Sequence, residues 1–228
     1  MRVQYGNRNF TRHTCDRTHA AINRLCDWMH GLGADQHDFD SLVPHFQNGN
    51  QLPLRFVFPN APVRPITINN QAPTRAWYDV FSLTDLHRED ETGIVKSRAA
   101  IEQLIQQEIT RGVPANRIVI AGYSQGGAMA LYTGVRYTES LAGILALSCY
   151  LPMMNQHDEE SQPANIDTPI FIAHGTHDAT LPCFAGKMSY DIVRRTHPNA
   201  QWTEYPMGHE ISGPETKDIH AWLKNIFA

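Results

Sequence analysis

The chain has 228 residues, a formal net charge of −4 and no run of lysine and arginine residues. A chain of this length can bury a substantial core as one large α/β domain without disulfides. The charge balance argues against a nucleic-acid partner, because phosphate binding requires clustered cations.

The targeting and membrane signals are also weak. Residues 1–9 lack the apolar segment of a secretory signal peptide. The longest apolar run, 141–147, is far too short to span a bilayer. We therefore expect a cytoplasmic protein with no transmembrane segment.

Metal ligands and disulfides are not indicated either. The 12 histidines include no H-E-x-x-H pattern, so we expect no metal site. The four cysteines have no C-x-x-C spacing, and free thiols suit a cytosolic protein. They are widely scattered, at Cys15, Cys26, Cys149 and Cys183.

Hydrophobic patterning predicts alternating strands and helices along most of the chain. In order, the predicted elements are strand 20–29, helix 38–47, strand 52–58, helix 94–111, strand 118–121, helix 125–138, strand 141–147, strand 168–173, helix 184–195, strand 201–205 and helix 214–227. This order indicates an α/β fold with a mostly parallel sheet and helices on both faces. No repeat or linker interrupts it, so we expect a single domain over 1–228. Residues 1–18 would be a frayed arm or an edge hairpin.

Three segments fit this pattern less well. The strand 20–29 is interrupted by Asn23, Arg24 and Asp27, where a buried parallel strand is normally apolar throughout. The proline content of the loop reaching from Pro59 to Pro73 predicts no regular structure there. Residues 156–165 are predicted to form a polar surface loop.

The most informative motif is Gly-x-Ser-x-Gly at 122–126, which lies between a predicted strand and a predicted helix. A serine in that position sits on a sharp turn with its hydroxyl at the end of the sheet. Glycines at both ends allow the strand and the helix to pack closely. Ser124 is therefore the candidate nucleophile, and the N–H of Gln125, at the start of the helix, is a candidate oxyanion donor.

A serine hydroxyl needs a base, and the base needs an acid to orient it. In this strand–turn–helix architecture the chain order is serine, acid, histidine, each after a strand. Asp178 follows the strand 168–173, and His209 follows the strand 201–205. These two residues are the candidate acid and base.

Other titratable residues fit this order less well. Among the histidines, His174 and His177 precede the last strand, and His197 and His220 fall at or within helices. The alternative acids are poorly placed as well. Asp167 would emerge at the wrong end of its strand, and Asp191 lies in the middle of a helix.

A glycine-containing loop at 30–35, His-Gly-Leu-Gly-Ala-Asp, follows the first predicted strand. In Gly-x-Ser-x-Gly enzymes the second oxyanion donor comes from a loop of this kind. The N–H of Leu32 is the candidate. The alternative is an ordinary glycine turn between strand and helix.

Apolar residues near the predicted site suggest an acyl-binding groove. Trp77 lies beyond the proline-rich loop, and Leu151 and Met153 follow the strand 141–147. Ligands bind at that end of parallel strands. Each residue also has a simpler interpretation as part of the core.

Together these residues predict acyl transfer without a metal or an organic cofactor. His209 would take the proton of Ser124, which attacks an acyl carbonyl, and the N–H groups of Leu32 and Gln125 would hold the oxyanion. Water would then hydrolyse the acyl-enzyme.

Four motifs, which occur in the chain in the order 30–35, 75–79, 122–127 and 174–178, resemble the phospholipase/carboxylesterase family, which includes acyl-protein thioesterases. The resemblance implies an α/β-hydrolase fold without a large lid. It implies hydrolysis of acyl esters or thioesters, with lysophospholipids, S-acylated proteins or small acyl esters as substrates. It assigns the triad to Ser124, Asp178 and His209 and the oxyanion donors to Leu32 and Gln125.

The resemblance leaves several alternatives open. A catalytically silent α/β-hydrolase that serves as a ligand-binding or interaction module is the second hypothesis. A serine peptidase is disfavoured, because nothing in the sequence suggests a large cap domain. A monomer, a homodimer and transient membrane contact all remain compatible with the sequence.

Overall fold

The computed structural model describes residues 12–15, 24–47, 52–83, 85, 86 and 88–228. The strands in these ranges are β1 (Arg12–Cys15), β2 (Leu25–Met29), β3 (Arg55–Pro59), β4 (Val63–Ile66), β5 (Ala72–Arg75), β6 (Ile118–Tyr123), β7 (Gly143–Leu147), β8 (Ile170–Gly175) and β9 (Ala200–Tyr205). The helices are α1 (Val43–Gln47), α2 (Glu91–Thr110), α3 (Gln125–Gly134), α4 (His157–Glu160), α5 (Cys183–Val193) and α6 (Gly213–Ile226).

Seven of the described strands form one sheet in the order β1-β3-β2-β6-β7-β8-β9. All neighbours pair in parallel except β1, which runs antiparallel to β3 at the edge. Apolar side chains of α2, α3 and α5 pack on one face, and those of α1 and α6 pack on the other. The predicted α/β architecture is confirmed. Of the predicted arm or hairpin at 1–18, only the edge strand β1 lies within the described residues.

The central strands are buried along their whole length, as expected for a sheet covered on both faces. The irregular segment 20–29 is confirmed as a strand over β2, and residues 20–23 lie outside the described ranges. Every residue of β2 is buried, including Asp27. Its neighbours β3 and β6 supply the backbone partners that hold this polar residue inside the sheet.

The prediction of no regular structure in the proline-rich loop was wrong. Strands β4 and β5 form an antiparallel ribbon in which Pro65 lies opposite Pro73. A two-stranded ribbon leaves one edge of each strand unpaired, so a residue without an N–H can be placed there. Asn70 and Gln71 make the turn with φ of 53° and 62°.

The prediction of a polar surface loop at 156–165 also needs correction. The segment contains α4 and a short 3₁₀ turn, and it buries His157 and Asn165. The Asn165 side chain accepts a hydrogen bond from the N–H of Leu141 and donates to the carbonyl of Tyr137. This polar segment therefore contains a buried side chain, Asn165, whose hydrogen bonds hold the loop before β7 in place.

None of the helices in the described ranges is long and apolar enough to cross a membrane. In those same ranges, the connections above the carboxyl edge of the sheet are the β4–β5 ribbon and short helical segments rather than a separate cap domain.

Candidate active site

Ser124 occupies the turn between β6 and α3. Its backbone has φ of 55° and ψ of −123°, a combination that costs a non-glycine residue about 1–3 kcal/mol. Its N–H donates to the carbonyl oxygen of Leu147 at 2.8 Å. The neighbouring strand β7 therefore holds the strained turn in place.

Two glycines make this turn possible through close packing. A Cβ added at Gly122 would lie 2.2 Å from the carbonyl carbon and oxygen of Gly126. A Cβ added at Gly126 would lie 2.2 Å from the carbonyl oxygen of Met29, at the end of β2. The start of α3 thus presses against two strands, as the Gly-x-Ser-x-Gly spacing predicts.

The structure brings the three predicted side chains together at the carboxyl edge of the sheet. Nε2 of His209 lies 2.9 Å from Oγ of Ser124. Nδ1 of His209 lies 2.6 Å from Oδ2 of Asp178. Asp178 follows β8 and His209 follows β9, so adjacent parallel strands deliver them beside β6 and β7. This geometry allows a proton to pass from the hydroxyl to the imidazole.

The carboxylate of Asp178 is buried and held by its own loop. Its Oδ1 accepts hydrogen bonds from the N–H groups of Thr180, at 2.9 Å, and Leu181, at 2.8 Å. Its Oδ2 faces the imidazole of His209. Charged acceptors of this kind form strong hydrogen bonds, and two backbone donors fix the orientation of the carboxyl plane.

The alternative histidines occupy different environments. His177 is exposed, His197 is buried beyond the end of α5, and His220 donates to the carbonyl of Phe46. His174, however, lies 3.2 Å from Oδ2 of Asp178. Sequence reasoning rejected His174 as the base and did not consider a supporting role. The spacing of four residues to Asp178 was the available signal.

Burial shifts the pKa of two side chains near the site, His174 and Tyr123. The pKa of His174 is lowered, chiefly because burial disfavours the imidazolium. The pKa of Tyr123 is raised well above its usual value by burial and by the charge of Asp178. The Tyr123 ring lies 5.0 Å from the His209 ring between centroids. The His209 ring therefore lies against a neutral phenol.

The loop at 30–35 passes next to the serine. A Cβ added at Gly31 would lie 3.4 Å from Cβ of Ser124. Gly33 has φ of 80°, and its N–H donates to the carbonyl of Arg75 at 2.8 Å. Among the hydrogen bonds between described residues, none uses the N–H of Leu32 or of Gln125. Both donors are thus available to an incoming ligand.

The Gln125 side chain joins the start of α3 to the segment after β5. Its Oε1 accepts from the N–H of Trp77 at 2.9 Å, and its Nε2 donates to the carbonyl of Tyr78 at 2.8 Å. The indole N–H of Trp77 donates to the carbonyl of His30 at 2.9 Å. Sequence analysis identified only the backbone of Gln125, since a bridge across 48 positions leaves no local signal.

The predicted groove residues are core residues in this structure. Trp77 and Leu151 are fully buried, and Met153 is 6% exposed. All three belong to one apolar cluster beneath the site. The N–H of Leu151 donates to Oγ of Ser189. That these three residues line an acyl-binding groove stays a prediction.

The described residues contain no group of three or more His, Cys, Asp or Glu side chains placed to hold a metal ion.

The chain is similar to known proteins in sequence and in fold. The sequence profile of the family described as Phospholipase/Carboxylesterase matches residues 23–227. Acyl-protein thioesterase 1 from Neurospora crassa is 40% identical over 205 residues, covering 86% of this chain and 84% of that protein. Acyl-protein thioesterase 1 from Yarrowia lipolytica is 36% identical over 210 residues, covering 90% and 92%. The crystal structure of Arabidopsis thaliana SOBER1 superposes with a TM-score of 0.84 at 28% identity, covering 90% of this chain and 99% of that one.

Proposed function

Because the chain belongs to the phospholipase/carboxylesterase family and is a serine hydrolase, we propose that Ser124 is its nucleophile, His209 its general base and Asp178 the acid that orients the base. The observation that carries this proposal is the continuous hydrogen-bonded line from Ser124 Oγ through His209 to Asp178. The chain would act as one catalytic domain.

The proposed reaction has two halves. His209 accepts the proton of Ser124 as Oγ attacks the acyl carbonyl, and it then returns that proton to the leaving alcohol or thiol. Water enters, gives a proton to His209 and attacks the acyl-enzyme. The bond between the acyl carbon and Oγ then breaks, the carboxylic acid leaves, and His209 returns the proton to Ser124. Asp178 keeps Nδ1 of His209 protonated, so that Nε2 is free to act as the base.

The developing oxyanion would be held by the N–H groups of Leu32 and Gln125. Neither donor has a partner among the described residues, and the Gln125 donor also lies at the positive end of α3. Preorganised donors of this kind stabilise the transition state by about 3–4 kcal/mol each.

The substrate class we propose is an acyl ester or thioester, with S-acylated protein as the favoured substrate and lysophospholipid as the alternative. The support comes from the relatives in Neurospora crassa and Yarrowia lipolytica, which are acyl-protein thioesterases. We propose that the enzyme works in the cytoplasm.

A side-by-side series of p-nitrophenyl esters, acyl thioesters and lysophospholipid tests the function. We expect hydrolysis of esters and thioesters, and covalent labelling of Ser124 by a fluorophosphonate, located by mass spectrometry. Ser124→Ala should lose activity by about 10⁴-fold or more while remaining folded. Ser161→Ala, which alters a serine bonded to the His157 carbonyl, is the control and should retain activity. Turnover in Ser124→Ala equal to the wild type would refute the nucleophile.

A further inference from the structure

His174 is a buried histidine that the proposed reaction does not use. It lies in β8, four positions before Asp178, and its side chain is fully buried. A buried imidazole carries a desolvation cost, and such groups are normally satisfied by specific partners. Its contacts therefore indicate what it does.

The hydrogen-bond partner of His174 defines its tautomer. Nε2 lies 2.9 Å from the carbonyl oxygen of Leu181. A carbonyl oxygen only accepts hydrogen bonds, so Nε2 must carry the proton. Nδ1 has no partner among the described residues, and burial lowers the pKa of the ring. The ring is thus a neutral imidazole with a single N–H.

The ring is also held in one orientation. A Cβ added at Gly186, on α5, would lie 2.3 Å from Nδ1 of His174. On another side, the ring of Trp202, on β9, lies 6.2 Å away between centroids. Close packing against the helix backbone leaves the imidazole little room to rotate.

The same N–H lies against the proposed catalytic acid. Nε2 of His174 is 3.2 Å from Oδ2 of Asp178, and that oxygen also receives Nδ1 of His209 at 2.6 Å. Leu181 closes the arrangement, because its carbonyl accepts from His174 and its N–H donates to Oδ1 of Asp178. His174 therefore contacts both the carboxylate and the turn that carries it.

We propose that His174 is a positioning residue, which fixes the 178–181 turn through Leu181 and occupies one side of Asp178 Oδ2 so that the other side faces His209. This role rests on the proposed triad. His174 touches neither Ser124 nor the substrate in this scheme, and it acts through Asp178.

The test compares two replacements of similar length, of which only one can donate a hydrogen bond. His174→Gln retains a donor near the position of Nε2, whereas His174→Met fills the same space without one. We expect kcat of His174→Met to fall roughly 10- to 100-fold, because small misplacements of catalytic groups cost about this much. KM should change less than about threefold, since ground-state binding is untouched. His174→Gln should recover most of kcat.

The second readout is the far-downfield proton resonance of the His209 Nδ1–H bonded to Asp178. It should be present in wild type and His174→Gln and broadened or absent in His174→Met. If His174→Met does not fold, retention of this resonance in His174→Gln supports the proposal and its loss overturns it. The proposal is overturned if the two variants have equal kcat, whether both values are high or both are low. It is also overturned if neither variant folds.

His197→Met is the matched control, because His197 is also fully buried with a ring nitrogen lacking a partner among the described residues. This variant should have a lower melting temperature but an unchanged kcat, when kcat is calculated per active site and the active sites are titrated with a fluorophosphonate. Failure of the proposed function can be distinguished from failure of the His174 proposal. If the proposed function fails, the wild type hydrolyses no ester and Ser124 is not labelled.

Discussion

The buried side-chain amide of Gln125 accepts a hydrogen bond from the backbone N–H of Trp77 at 2.9 Å. It also donates to the carbonyl of Tyr78 at 2.8 Å. The residue whose own N–H we propose as an oxyanion donor is therefore also the residue that ties the segment after β5 to the start of α3. If the proposal holds, one residue contributes to both stability and catalysis.

Replacing Gln125 by alanine should destabilise the protein by about 2–4 kcal/mol, because two buried backbone groups lose their partners. Gln125→Glu should be destabilising too, since a carboxylate can accept from Trp77 but repels the carbonyl of Tyr78. Urea unfolding measures both. Gln103→Ala, on the surface of α2, is the control and should change the unfolding free energy by less than about 0.5 kcal/mol. An unfolding free energy unchanged in Gln125→Ala would contradict the bridge.

Asp178→Asn should lower kcat by about 10⁴-fold with little change in folding. The asparagine oxygen can still accept from the N–H groups of Thr180 and Leu181, which leaves its NH₂ facing Nδ1 of His209. A donor there forces the proton of the imidazole onto Nε2, where it cannot act as a base. Steady-state kinetics on an ester measures the effect.

Asp191→Asn is the control for that substitution, because Asp191 forms an ion pair with Lys187 on the surface of α5. Its activity should match the wild type. A loss of less than tenfold in Asp178→Asn would argue that Asp178 does not orient the base.

Gly186→Ala should destabilise the protein although alanine favours helices over glycine by about 0.5–1 kcal/mol. The new Cβ would lie 2.3 Å from Nδ1 of His174 and 3.1 Å from the carbonyl oxygen of Cys149. Overpacking of this kind costs about 1–3 kcal/mol. The melting temperature and kcat should both decrease.

Gly213→Ala provides the comparison for Gly186→Ala. Gly213 begins α6, and a Cβ there meets nothing within 4 Å. That variant should be neutral or slightly stabilised. Equal melting temperatures for the two variants would show that the ring of His174 is free to move.

Stability should depend on pH through Glu215, which is fully buried at the start of α6. Burial raises the pKa of this carboxyl group to about 8. The folded state therefore holds a proton that the unfolded state releases near its ordinary value of about 4.3. The stabilisation is complete below that value and is lost as the pH rises through about 8.

Comparing Glu215→Gln with the wild type isolates this contribution, since glutamine keeps an acceptor for the N–H of Ser212. From pH 5 to 9, the unfolding free energy of the wild type should fall relative to the variant, by at most about 1.4 kcal/mol per pH unit. Parallel pH profiles of the two proteins would show that Glu215 is charged in the folded state.

Much of the architecture could be read from local patterns. The apolar run at β7, the glycine spacing around Ser124 and the helical periodicity of α6 each depend on neighbours in sequence, and the structure has strands and helices there. The β4–β5 ribbon was missed because proline excludes a central strand, whereas an isolated ribbon tolerates Pro65 and Pro73.

The sequence by itself determined the α/β class and the serine turn, because these follow from periodicity and from the conformations that glycine allows. Only the tertiary structure decided that Trp77, Leu151 and Met153 are buried and that His174 lies against Asp178. Burial and hydrogen-bond partners are set by residues distant in sequence, and no local pattern specifies which of them will meet.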